Sequence, residues 1–224
     1  MMRKPRLTSV LVLGVALLAA MAVATPTAQE RRAVRVPEGN GKPILVDGVF
    51  TPGEWDDALT IDVRPGLQLL VKRAAGFVFI GVRYTPYSLA VVDLFISPDG
   101  KAIRQLHASA QLGERLLTGS RPDAEDSAPF IWGETAGWYA NEVRWNEGKV
   151  QSLVKEGKSQ SDAQAAAVYK YDGFEFQIRQ SKFGSGRWLV RLESPRSPDW
   201  SKPVVYPEGT TAVSTRGWLT LVLE

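Results

Sequence analysis

The sequence predicts an all-β domain: an antiparallel β-sandwich, jelly-roll-like and immunoglobulin-sized or larger, with one or two short helical turns. Three observations predict it. Apolar runs are short and punctuated by Gly, Pro and Asp. Period-two alternation is clear late in the chain, where Phe174, Phe176 and Ile178 point one way and Glu175, Gln177 and Arg179 the other. Helical signals are minor, and many short strands with close turns suit two packed sheets.

The elements follow in order. Residues 1–24 have the layout of a secretory signal peptide. Arg3, Lys4 and Arg6 precede an apolar run from Val10 to Ala24, Ala22-Val23-Ala24 is a small-x-small cleavage signal, and a second cut point lies after Ala28. The run is shorter than a spanning helix requires. A polar linker occupies 25–42, and the domain is expected to fill 43–224. Ile44 to Val46 reads as its first strand, closed by Asp47-Gly48. Pro52 to Ala58 could form a helical turn capped by Thr51. Leu67 to Lys72 and Phe77 to Tyr84 form a hairpin around Ala74-Ala75-Gly76. Leu89 to Ile96 ends at the turn Ser97-Pro98-Asp99-Gly100, and Ile103 to Ala110 follows. Trp138 to Trp145 reads as a strand. Gln151 to Ala167 is polar and Ala-containing, compatible with either a short helix or a loop. Gly173 to Arg179, Arg187 to Leu192 and Gly217 to Leu223 complete the set.

Composition narrows the chemistry. The chain has 27 Lys+Arg and 24 Asp+Glu, and loss of the leader's three basic residues leaves 24 of each sign. A neutral exported chain gives no support for nucleic-acid partners or anionic lipid. With no Cys there are no disulfides, thiolate nucleophiles or Cys-zinc sites. All three Met precede the first cut point, and His107 is the only His. A multi-His zinc site is therefore impossible.

Several pieces of the chain resemble one family. Ile44-Leu45-Val46-Asp47-Gly48, then Gly53-Glu54-Trp55 and Ala58, is similar to the opening of family 9 carbohydrate-binding modules and their DOMON-like relatives. Phe77 to Val82, Asp93 to Gly100, Phe174 to Ile178 and Lys182-Phe183 resemble later pieces in the same order. The resemblance implies a β-sandwich that binds sugars non-catalytically, held between Trp rings. It also implies a possible structural calcium, with Asp47, Asp56, Asp57 and Asp93 placed in the matching motifs. Some DOMON-like relatives bind haem, for which His107 is the one strong axial ligand available here.

Sugar recognition needs flat apolar faces with polar groups at the rim. Of the seven Trp, Trp55 sits in the opening motif and reads as core or as a lid under the first turn, while Trp188 and Trp218 lie within alternating strands and read as core. Trp132, Trp138, Trp145 and Trp200 lie among turn and polar residues. The candidate ligand-binding set is Trp132, Trp138, Tyr139, Asn141, Glu142, Arg144, Trp145 and Trp200. The alternative is that the sandwich buries these rings as well. Glu142 and Arg144 share strand parity and could pair, as a solvated salt bridge or as a polar contact. His107 and Ser109 also share parity, but the spacing is a poor nucleophile–base arrangement and no G-x-S-x-G elbow exists. The acidic loop Arg121 to Asp126 reads as a solvated rim.

The expected function is an exported, monomeric, non-catalytic module binding a polysaccharide or oligosaccharide, secreted or periplasmic. The alternatives are a DOMON-like haem or redox domain, and an envelope protein-interaction domain without a small ligand.

Overall fold

The computed structural model describes residues 33–42, 44–85, 90–117, 128–133, 135–195 and 203–224. The leader, the loop at 121–126, Glu134 and Trp200 lie outside the described residues.

The chain forms two facing sheets. Its strands are β1 (Ala33–Arg35), β2 (Leu59–Arg64), β3 (Leu67–Ala74), β4 (Phe77–Tyr84), β5 (Val92–Ser97), β6 (Ile103–Ala108), β7 (Leu112–Leu117), β8 (Ile131–Trp132), β9 (Trp138–Ala140), β10 (Gly173–Arg179), β11 (Arg187–Ser194), β12 (Val204–Tyr206) and β13 (Leu219–Val222). The helices are α1 (Glu147–Lys155), α2 (Gln160–Ala167) and the single turn α3 (Gln180–Phe183). One sheet runs β1-β13-β11-β5-β6-β7-β8, with β12 alongside β11. The other runs β2-β3-β4-β10-β9. All pairings are antiparallel except β1 with β13. The predicted all-β sandwich is therefore present.

Alternation explains the layers. Leu69, Val71, Ile80, Val82, Phe174 and Phe176 from the smaller sheet meet Leu94, Ile96, Leu106, Trp188, Val190 and Leu221 from the larger in one buried core. Each such side chain contributes roughly 1.5–3 kcal/mol when removed from water. Trp188, on β11, and Trp218, just before β13, are fully buried as expected, and their indole N–H groups donate to Gly184 O and Thr211 O. A buried indole needs such an acceptor.

Four expectations are revised. Ala33–Arg35 is a strand and Val36 is buried in the core, so the polar linker does not reach Lys42. Ile44 to Val46 is not a strand. Leu45 stays exposed, and the backbone N–H groups of Asp47 and Gly48 donate to the Glu175 carboxylate at 3.0 and 2.8 Å instead of to a ladder. Pro52 to Ala58 makes turns without a helix. Trp138 to Trp145 is strand only as far as Ala140, because the Asn141 side chain then takes over the pairing: its Oδ1 accepts from Glu175 N, and its Nδ2 donates to Gly173 O. The ambiguous segment resolves as α1 and α2, capped by the side chains of Asn146 and Ser159. They bury Val150, Ala163 and Ala167 together, with Trp145 partly buried against them.

The loop from Ile44 to Ala58 folds over the outer face of the five-stranded sheet. Trp55 reaches back to donate its indole N–H to Glu175 Oε1 at 2.9 Å, and Lys72, fully buried, donates to Glu54 O and Asp57. Glu175 is itself fully buried. Burial pushes its carboxyl up to about 7, against the opposing pull of the N–H donors from Trp55, Gly48 and Asp47.

Candidate functional site

Among the described residues, a partly exposed aromatic assembly sits on the outer face of the eight-stranded sheet, near the β8 edge. Register places Asp93, His107, Gly113 and Trp132 side by side across β5, β6, β7 and β8. Their neighbours Leu94, Leu106 and Leu112 point into the core, so these four face outward. Gly113 leaves room that Trp132 fills. A Cβ at Gly113 would lie 2.7 Å from Cε3 of the indole, so the ring lies close against the sheet. Phe130, two residues earlier, stacks on Trp132 with ring centroids 4.8 Å apart and planes inclined by 25°. The Arg115 guanidinium lies 4.5 Å from the Phe130 centroid, an attractive placement over a π face. His107 meets both rings edge-on, 5.7 Å from Phe130 and 5.4 Å from Trp132. Trp132 nevertheless keeps 47% of its surface exposed, and Ile131 55%.

Polar groups border this platform. His107 Nδ1 lies 2.8 Å from Asp93 Oδ1, and Nε2 lies 3.0 Å from Ser109 Oγ. The His107–Ser109 pairing that strand parity allowed is thus made, and Asp93 extends it into a chain. The Ser109 hydroxyl also closes a turn: it accepts from Gln111 N and donates to Gln111 O. Both ring nitrogens of His107 are engaged, which fixes the imidazole plane against the two aromatic rings. A haem iron would have to displace one of these partners.

The predicted binding residues do not form one surface. The chain crosses from the eight-stranded sheet at Trp132 to the five-stranded sheet at Trp138. Trp138 is a correction: it is 4% exposed, stacks on Phe176 in the core, and donates its N–H to Glu114 at 2.8 Å. Asn141 is a second correction, since it is buried and its amide is spent on backbone groups of β10. Trp145 packs against the helix pair and donates to Glu147, with no ring contact to Trp132 among the described residues. Tyr139 is exposed, but on the outer face of the opposite sheet, opposite Gln177. Glu142 and Arg144 pair at 3.0 Å as a largely exposed bridge, worth little. Trp200 lies outside the described residues. Of the predicted set, only Trp132 joins the platform.

Phe130, Arg115, His107 and Asp93 were missing from the predicted set. Phe130-x-Trp132 carried a usable signal: in extended chain, residues two apart fall on the same side, and the two rings stack although Phe130 lies just before β8. The candidate calcium ligands do not converge. Asp57 pairs with Lys72, Asp93 with His107, and Asp47 accepts from Val49 N. Among the described residues no group of three His, Cys, Asp or Glu side chains could hold a metal ion. No described helix is long and apolar enough to cross a membrane.

Comparison of the chain with family models, curated proteins and solved structures finds no match.

Proposed function

We propose that this protein is an exported, non-catalytic carbohydrate-binding module, and that the Phe130–Trp132 platform contacts the glycan. The observation that carries the reading is the half-exposed indole of Trp132, backed by Phe130 and flanked by the Arg115 guanidinium, which bonds Gln105 through Nε and has further N–H groups. The apolar C–H face of a pyranose stacks on such a ring, and its hydroxyls reach the polar border. Similarity of the loop and strand motifs to family 9 carbohydrate-binding modules supports the same reading. The haem alternative is less favoured, because His107 is already bonded through both nitrogens.

Native gel electrophoresis with polysaccharides cast into the gel tests it. The wild type is expected to be retarded by at least one neutral β-glucan, xylan or mannan. Trp132→Ala should weaken that interaction by about 2 kcal/mol, roughly thirty-fold in affinity. Equal retardation of wild type and variant on every polysaccharide would remove the platform from the account.

A further inference from the structure

A second concave site lies on the other sheet. It is a cleft of about 690 Å³ on the outer face of the five-stranded sheet, where the β2–β3 turn meets the end of β4. That volume lies within the range of ligand clefts. Phe50, Asp62, Arg64, Gln68, Arg83 and Asp172 line it.

The lining carries hydrogen-bonding capacity of both signs. Arg83 donates through Nε and Nη2 to Gln68 Oε1, and its guanidinium lies 5.8 Å from the Phe50 centroid. Arg64 donates to Tyr84 Oη at 3.3 Å. Among the described residues neither arginine has a carboxylate within ion-pair distance. The two acids of the cleft are turned to other partners: Asp62 accepts from Gln68 Nε2 at 2.8 Å, and Asp172 accepts from Phe50 N at 3.1 Å. Each carboxylate has lone pairs beyond the one bond recorded, and each guanidinium has further N–H groups. Fixed donors and acceptors beside an aromatic ring match a ligand whose groups both donate and accept, namely a chain of sugar hydroxyls. A simple anion fits less well, because both acids would repel it.

We infer that the cleft is a second glycan subsite, so that the module engages sugar chains on both outer faces of the sandwich. This rests on the proposed carbohydrate-binding function. Asp62, Gln68 and Arg83 alternate with the core residues Ile61, Leu69 and Val82, so the cleft faces away from the Trp132 platform across both sheets. One straight glycan segment cannot lie on both. The domain therefore bridges two chains, or two stretches of one.

The test compares the full-length wild type, Trp132→Ala, Arg83→Gln and the double variant in gels cast with β-glucan, xylan or galactomannan. Turbidity of the same polysaccharides in solution is the second readout. Arg64→Gln serves as an independent cleft variant, and thermal melts check that each variant folds. Each single variant is expected to weaken retardation roughly thirty-fold while keeping some of it. Only the double variant should run freely, and only the wild type should cloud the solution. If both cleft variants match the wild type in both readouts while Trp132→Ala runs freely, the second subsite is overturned and the platform stands. If the cleft variants run freely and Trp132→Ala does not, the platform is overturned and the cleft is the site. A wild type retarded by none of the polysaccharides overturns both.

Discussion

Glu175→Ala will lower the free energy of unfolding by roughly 3–5 kcal/mol, because it strips the acceptor from three N–H donors at once. The donors are the backbone groups of Asp47 and Gly48 and the indole of Trp55. All three belong to the loop that covers the five-stranded sheet, so the loss should detach that loop first. Tryptophan fluorescence during urea unfolding reads both effects, since Trp55 is 6% exposed in the intact fold. A loss below about 1 kcal/mol would show that the carboxylate is not the anchor.

The same residue sets a pH dependence. Burial raises the Glu175 carboxyl from 4.5 to about 7. Between those values the folded protein holds a proton that the unfolded chain has released. Stability from this group is therefore fully present below pH 4.5 and is lost as pH rises through 7, by about 3 kcal/mol over the whole window. Glu175→Gln removes the titration. Its amide oxygen can still serve the two backbone donors, but its NH2 then faces the Trp55 N–H. The variant should be less stable than wild type at low pH, should lack the wild type's slope between pH 5 and 7, and should close the gap by about 3 kcal/mol above pH 7, where only the wild type has lost stability. Parallel stability curves for the two proteins across that range would sink the assignment.

What the sequence made legible depended on how far away the deciding partner lay. The β3–β4 hairpin and the two faces of β10 were readable, because turn residues and period-two alternation are local. Trp188 and Trp218 were readable as core for the same reason. Ile44 to Val46 looked like a strand because its apolar, β-branched residues suit one. The backbone of the Asp47-Gly48 pair that follows is instead captured by Glu175, 127 residues beyond Gly48, and no local pattern announces that. The segment from Trp132 to Trp145 was read as one surface because its aromatics are close in sequence. Which sheet each short strand joins is a matter of long-range register, and register divides Trp132 from Trp138. His107 and Ser109 were placed on one face by parity, yet their meaning changed once the β5–β6 ladder set Asp93 beside His107.

Gly173→Ala should be the most damaging glycine-to-alanine change among the described residues, and comparison with Gly113 shows why. A Cβ on Gly173 would lie 1.9 Å from Val82 O, 2.9 Å from Val82 C and 3.0 Å from Arg83 Cα. All three are backbone atoms of β4, so no rotamer change relieves the clash, and β10 must move off its neighbour. That movement also disturbs the bond from Asn141 to Gly173 O and the one from Tyr84 N to Asp172 O. A loss of about 3 kcal/mol or more is expected, measured by urea or thermal unfolding. At Gly113 the obstructing atoms at 2.7 and 2.9 Å belong to the Trp132 ring, a half-exposed side chain on a short edge strand that can swing outward. Gly113→Ala should therefore change stability by less than about 1 kcal/mol while moving the indole, which acrylamide quenching and glycan retardation would both report. The two glycines separate what the ladder needs from what the surface presents. Equal stability losses in the two variants would mean that Trp132 is held as rigidly as the backbone of β4, and the ring would then be part of the sheet's packing instead of a platform for a ligand.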